Sequence, residues 1–260
     1  MREKTRLDIA VHQRGLTNSR AKAQGMIMAG EVMVNGTMVD KPGTRVSDDD
    51  VITLKAMPQY VSRGGEKLAG ALRDFSLDVT NKVCADVGAS TGGFTDCLLQ
   101  NDAARVYAID VGYGLLDYRL RQDHRVIVME RTNARHLEAL EEPIELVVVD
   151  ASFISLRLLM PAIRMWLAAR ADLITLIKPQ FEAGRKDVGK GGVVRDTDVH
   201  KRVIQEVSEA ACDLDFSLVD LTISPIKGPA GNIEFLAWFA WGYPAEEFDL
   251  DSRIEALLQD

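Results

Sequence analysis

The sequence predicts an α/β protein, a seven-stranded and mostly parallel sheet layered with helices, preceded by a small α+β module. Three observations predict it. After residue 62, seven short apolar runs alternate with stretches at helical spacing, and strands separated by helices build parallel sheets. Before residue 56, two short helical patterns lead into Asn35-Gly36 between β-prone runs, the strongest short hairpin signal. The stretch 56–61, with Pro58 in it, fits neither pattern and reads as a linker. The expected division is therefore 1–55, 56–61 and 62–260, and 260 residues suit two domains.

Composition narrows the class. Hydrophobic residues at 47% and charged residues at 27% are ordinary for a globular chain. The net charge is −8, but it is unevenly placed. Residues 1–55 hold nine Lys and Arg against seven Asp and Glu, whereas the remainder holds 22 against 32. Arg2, Lys4, Arg6, Arg14, Arg20 and Lys22 crowd the start, so a nucleic-acid contact has room inside an acidic protein. Three cysteines without paired spacing support neither a disulfide framework nor a zinc ribbon, and the four scattered histidines are expected mostly at surfaces and helix ends. No metal site is expected. With no run of 18 apolar residues and no apolar signal core, the sequence predicts a soluble, cytoplasmic protein without stable membrane association.

In the module, residues 7–16 carry apolar positions at helical spacing, and Ser19 is placed to cap a second helix over 19–29. Arg20 and Lys22 fall in that helix's first turn, where cations oppose the helix dipole and are poor stabilisers. They read either as a solvated face or as contacts for a phosphate partner. Residues 31–39 form the hairpin, and 51–54 offer a further strand. With Arg6-Leu7-Asp8, Ser19-Arg20-Ala21-Lys22-Ala23 and the 30–36 stretch Gly-x-Val-x-Val-Asn-Gly, the module resembles the small RNA-binding module of the ribosomal protein S-four type. The resemblance implies binding to structured RNA through the second helix, with Arg20 and Lys22 in contact and Arg6 and Arg14 nearby.

In the second domain a helix is expected over 62–75, followed by strands at 83–87, 105–109, 126–129, 144–149, 173–177, 216–223 and 234–241. The turn from Asp86 to Phe94 follows the first strand and opens a helix, and its glycines let a ligand approach the carboxyl edge of the sheet. Asp110 ends the second strand, where a carboxylate can accept both hydroxyls of a ribose. A dinucleotide fingerprint is incomplete, because Ser90 stands at its middle glycine. Residues 184–190 match a phosphate loop in spacing, but Gly191 replaces the hydroxyl that would bind magnesium, and no helix pattern follows. The turn instead looks like the S-adenosylmethionine site of class I methyltransferases. On that resemblance Asp86, Gly88, Ser90, Thr91, Gly92, Gly93 and Phe94 surround the methionine and ribose portions, Asp110 holds the ribose, and Asn133 contacts adenine. Asp150 borders the same site.

Asp150 and Lys178 end two very apolar runs, and Glu234 starts the last one, all expected along the carboxyl edge. Lys67, in the preceding helix, can reach the same crevice. Singly these are a solvated lysine and a structural ion pair. Together, in this order, they match the Lys-Asp-Lys-Glu tetrad of FtsJ-type ribose 2′-O-methyltransferases. On that match Lys178 accepts or steers the hydroxyl proton, Asp150 and Glu234 position it, and Lys67 tunes the charge. A lysine alone, with a reference pKa of about 10.4, is a poor base at neutral pH.

The two domains, with Ser62-Arg63-Gly64-Gly65-Glu66-Lys67-Leu68, Asp150-Ala151-Ser152-Phe153-Ile154-Ser155 and Lys178-Pro179-Gln180-Phe181-Glu182, are similar to the TlyA (hemolysin A) family. The similarity implies methylation of ribosomal RNA, at cytidines of 16S or 23S rRNA or both, with ribosomal RNA or ribosomal subunits as partner. The glycine-rich loop 182–195 carries Arg185, Lys186 and Lys190 and reads as a mobile surface loop or as an RNA clamp beside the crevice. Two other readings stay open at this point, an RNA-binding protein without turnover and a membrane-active hemolysin. The latter lacks an apolar span or a basic amphipathic helix. Two self-sufficient domains without an exposed heptad predict a monomer.

Overall fold

The computed structural model describes residues 4–55, 58–243 and 248–259. Arg2, Ala56 and Met57 of the expected linker, and residues 244–247 of the acidic tail lie outside the described residues. The chain separates into two units, Met1–Pro58 and Gln59–Asp260.

The first unit begins with β1 (Thr5–Arg6) and α1 (Leu7–Gln13), then α2 (Arg20–Met28), β2 (Val32–Val34), β3 (Thr37–Met38), β4 (Arg45–Val46) and β5 (Ile52–Leu54). α1 stops three residues before the expected Leu16. Gly15 takes φ +72°, its N–H donates to His12 and that of Leu16 to Val11, the closing bonds of a left-handed helix cap. Ser19 caps α2, accepting from the Lys22 N–H at 3.2 Å. Asn35 (φ +50°) and Gly36 (φ +79°) both take the left-handed conformation that a two-residue hairpin turn needs, and β2 pairs with β3 and β5. Leu7, Val11, Ala23, Ile27 and Val32 are fully buried between the helices and this small sheet.

In the second unit α3 (Gly64–Asp74) leads to β6 (Val83–Val87), α4 (Gly93–Gln100), β7 (Arg105–Ile109), α5 (Tyr118–Arg121), β8 (Val126–Met129), β9 (Ile144–Val149) and α6 (Leu156–Ile163). β10 (Leu167–Ile177), α7 (Pro179–Glu182), α8 (Thr197–Cys212), β11 (Ser217–Ile223), β12 (Phe235–Trp241) and α9 (Leu250–Leu258) complete it. Among the described residues the sheet has seven strands in the order β11-β12-β10-β9-β6-β7-β8. β6 to β10 pair in parallel, and β12 runs against both neighbours, so its first residues lie at the carboxyl edge of the others. β10 begins six residues earlier than its apolar run. Leu167 lies opposite Ile144 of β9 and Ala171 opposite Trp241 of β12, and the register against β9 shifts between Leu167 and Asp172. Pairing, not hydrophobicity, extends it.

Two apolar layers sandwich the sheet, one built on α6, α8 and α9 and the other on α3 and α4. Tyr60, expected in the linker, is buried in the second layer, where its ring covers Gly65. Of the histidines, three are exposed as expected and His200 is buried, its Nε2 donating to the Val194 carbonyl at 3.1 Å.

Candidate active site

The carboxyl ends of β6, β7, β9 and β10 open onto two adjoining cavities of about 410 and 770 Å³. Both touch Gly88, Ser90, Asp150, Ser152 and Phe153, so the segment after β9 forms the wall they share.

The smaller cavity is framed by Asp110 and Asn133 with apolar walls that include Val87, Ile109 and Ile154. Asp110 is oriented by main-chain donors, Ser90 N–H to Oδ2 at 2.8 Å and Gly112 N–H to Oδ1 at 2.7 Å. Each oxygen retains a lone pair for a further donor. Asn133 Oδ1 accepts from the Arg135 N–H at 3.1 Å, which leaves its amide NH₂ for a ligand. Ser90, a non-glycine residue at φ +50°, turns the chain between Asp86 and α4. Phe94 is core, and Thr91 accepts from the Asp117 N–H.

Asp86 is fully buried. Its Oδ2 accepts from Thr95 N–H at 2.9 Å and Thr95 hydroxyl at 2.6 Å, while Oδ1 is buried without a partner. Burial, opposed by the Thr95 bonds and reinforced by Asp150 and Asp110, pushes its pKa up to about 7. A folded-state pKa above the ordinary 3.8 means that ionisation opposes folding, so stability should fall as pH rises from about 4 to about 7 and level off above. Asp86→Asn is expected to flatten that slope in melting temperature measured against pH. An unchanged profile would show that another group carries it.

The larger cavity holds the tetrad, as two separate ion pairs. Lys178 directly follows β10 and is 6% exposed; its Nζ lies 2.5 Å from Asp150 Oδ1 and donates to Ser152 Oγ at 2.9 Å. Lys67, on the inner face of α3 beside Leu68, donates to Glu234 Oε2 at 2.6 Å, with the two residues 7% and 1% exposed. Gln180 Nε2 donates to the other carboxylate oxygen at 3.0 Å. Glu234 therefore meets Lys67, not Lys178 as the sequence reading has it. The reversed β12 places Phe235 opposite Ile177, and α3 covers that edge with Lys67 while Lys178 turns toward the end of β9.

Close backbone approach makes this possible. A Cβ on Gly93 would stand 2.3 Å from Ser62 Oγ and 2.8 Å from the Gly65 nitrogen, so position 93 accepts only glycine, and its bare backbone lets the start of α3 dock against α4. The other two strings also interlock. Glu182 Oε2 accepts from Ser155 hydroxyl at 2.6 Å and Oε1 from the Leu156 N–H at 2.7 Å, and the Phe153 and Phe181 rings lie 4.9 Å apart. Burial, partly offset by these bonds, raises the Glu182 pKa.

Sequence reasoning gave no role to Ser152, Gln180 or Asn232. The first two stand inside strings it singled out, and only the fold shows which carboxylate or amine each meets. Asn232 carries no periodic or motif signal.

The cationic residues divide between the units. In the first, Arg6 Nε (3.0 Å) and Arg20 Nε (2.9 Å) converge on the buried Asp8 with Gln24, and Lys22 is exposed. The Arg6 guanidinium, ahead of the opposing cost of burial, holds the Asp8 carboxyl well below the usual carboxylate range. Arg14 donates to the main-chain oxygens of Asp50, Ser47 and Asp48, so it brings charge but few free donors. In the second unit Arg185, Lys186 and Lys190 are exposed, while Asp187 in the same loop is paired with Arg202.

A sheet in this order with one reversed strand, a glycine turn after its first strand and an acid after its second define a class I methyltransferase. A family model described as FtsJ-like methyltransferase matches residues 60–241, and one described as S4 domain matches residues 5–52. Hemolysin A of Brachyspira hyodysenteriae is 48% identical over 90% of this chain and 99% of its own length. The 16S/23S rRNA (cytidine-2′-O)-methyltransferase TlyA of Mycobacterium tuberculosis is 45% identical over 92% of this chain and 90% of its own. A solved hemolysin-type chain from Streptococcus thermophilus is 42% identical, with a TM-score of 0.75 over 100% of this chain and 96% of that one. The protein thus belongs to the FtsJ-like methyltransferases that carry an S4 domain, the TlyA and hemolysin A family. Its cofactor is S-adenosylmethionine, and the unpartnered Asp86 Oδ1, the ribose-competent Asp110 carboxylate and the apolar slot beside it fit that molecule. Among the described residues no helix is long and apolar enough to cross a membrane.

Proposed function

We propose that the protein methylates the 2′-hydroxyl of a cytidine ribose in ribosomal RNA in the cytoplasm. The observation that carries this reading is the Lys178–Asp150 pair, which stands where the two cavities meet. Asp110 would hold the cofactor's ribose and Asn133 its adenine, with the Asp86–Phe94 turn around the rest. Bound there, S-adenosylmethionine supplies an electrophilic methyl group on a sulfonium. Lys178 Nζ, fixed by Asp150 and Ser152, would hold the ribose hydroxyl entering from the larger cavity; as the new O–C bond forms, the S–CH3 bond breaks to leave a neutral thioether, and the hydroxyl proton passes to the Lys178–Asp150 pair. The Lys67–Glu234 pair, with Gln180, shapes the opposite wall. Alignment of donor and acceptor is the main contribution asked of the protein.

Arg6, Arg20 and Lys22, with the charge of Arg14, form the RNA face of the S4 unit, and Arg185, Lys186 and Lys190 add a second contact beside the active site. Reversing Arg185 and Lys186 to glutamate is expected to weaken RNA binding and flatten its salt dependence by roughly one unit of slope per lost phosphate contact. An unchanged slope would make the loop a solvated surface feature.

The deciding experiment is transfer of labelled methyl from S-adenosylmethionine to unmodified ribosomal subunits and to naked ribosomal RNA. Label in RNA with resistance to alkaline cleavage at the modified position is the expected result. Cofactor binding without label in any RNA would overturn the substrate assignment.

A further inference from the structure

We propose that Asn232 is a positioning residue that ties the cationic loop 184–195 to the Lys67–Glu234 pair, so that RNA held by the loop is felt at the tetrad. The inference rests on the methyl-transfer reading above. Asn232 is 2% exposed and spends its whole amide on the far end of that loop. Oδ1 accepts from the Val194 N–H at 2.9 Å, and Nδ2 donates to the Gly192 carbonyl at 2.9 Å. Its main-chain oxygen accepts from the Gly228 N–H at 2.9 Å, so one residue joins two loops that both border the larger cavity.

Each side of this junction leads somewhere. Val194 is 2% exposed, and its carbonyl is also held by His200, which makes residues 193–195 a fixed foot. Ahead of the foot, Gly191 and Gly192 take positive φ in a turn closed by the Gly189 N–H to the Val193 carbonyl (3.0 Å) and the Gly192 N–H to the Gly189 carbonyl (3.1 Å), so the foot carries on to Lys190, with Lys186 and Arg185 beyond it. On the other side Glu234 is two residues away. Gly228 backs onto it so closely that a Cβ would stand 2.6 Å from Oε1. A shift of the foot thus moves the wall against which Glu234 holds Lys67. An aliphatic residue at 232 would leave the buried Val194 N–H unpaired, and an aspartate would face the Gly192 carbonyl with a second acceptor.

The test compares Asn232→Ala and Asn232→Asp with the wild-type protein in three measurements. These are tryptic cleavage at Arg185 and Lys186 without RNA, kcat and KM on ribosomal RNA, and S-adenosylmethionine affinity, which reports on the separate Asp110 cavity. For Asn232→Ala we expect loop cleavage to quicken by about tenfold, as loss of two hydrogen bonds implies. We expect kcat to fall by a similar factor with little change in KM or cofactor affinity. Asn232→Asp, which keeps the acceptor for Val194, should lie between. Unchanged cleavage would show that Asn232 does not hold the loop. Faster cleavage with wild-type kcat would show that the loop and the tetrad are not coupled. Because the cleavage measurement needs no RNA, it separates failure of the tie from failure of the ribosomal substrate assignment.

Discussion

Replacing Lys178 with alanine should reduce methyl transfer by about a hundred- to ten-thousandfold, the span typical for loss of a positioned proton-transfer group. Cofactor affinity should hardly change, because Lys178 lines the larger cavity and not the slot beside Asp110. The loss would come from two sources. The hydroxyl would have no amine to orient it, and Asp150, whose Oδ1 now meets Nζ at 2.5 Å, would be left facing the cavity without its cation. Lys178→Arg should not rescue activity, since a planar fork cannot replace a compact ammonium that meets both Asp150 and Ser152. Single-turnover methylation with labelled cofactor reads this directly. Activity within tenfold of wild type for Lys178→Ala would remove Lys178 from the reaction.

The second large effect concerns stability and activity together. Lys67 and Glu234 form a nearly solvent-free pair, so Glu234→Ala strands an ammonium and should cost about 3–5 kcal/mol of folding free energy. The double variant Lys67→Met with Glu234→Leu removes both charges and should recover most of that loss, as apolar replacements of buried pairs commonly do. Activity should stay low in both, because neither restores the charged wall. Urea unfolding with parallel methylation assays separates the two quantities. A Glu234→Ala protein as stable as wild type would show that water reaches the pair and screens it.

Both effects depend on residues that are far apart in the chain, which marks how far the sequence could be read. The hairpin at Asn35-Gly36, the cap at Ser19, the glycine turn after Asp86 and all seven sheet strands were legible, because turn chemistry and short apolar runs act over a few residues. The tetrad was legible only as a set of four charges expected along one edge. Its pairing was not. Whether Glu234 meets Lys178 or Lys67 depends on the direction of β12 and on how α3 crosses the sheet edge, and neither leaves a local signal.

The same division holds for the smaller features. The early start of β10 and the burial of Tyr60 come from partners more than 30 residues away or from a helix packed alongside, so apolar counting misses them. Ser152, Gln180 and Asn232 are ordinary polar residues until the fold brings an ammonium, a carboxylate or an unpaired main-chain group within 3 Å. By itself, then, the sequence determined the two-unit order, the strand and helix pattern and which ionisable residues would gather at the sheet's carboxyl edge, since those follow from periodicity and turn residues. Only the tertiary structure decided which charge neutralises which and which loop is tied to which wall. Whether a hydrogen bond or ion pair forms turns on differences of an ångström or less in position, and such differences are set by packing across the whole sheet.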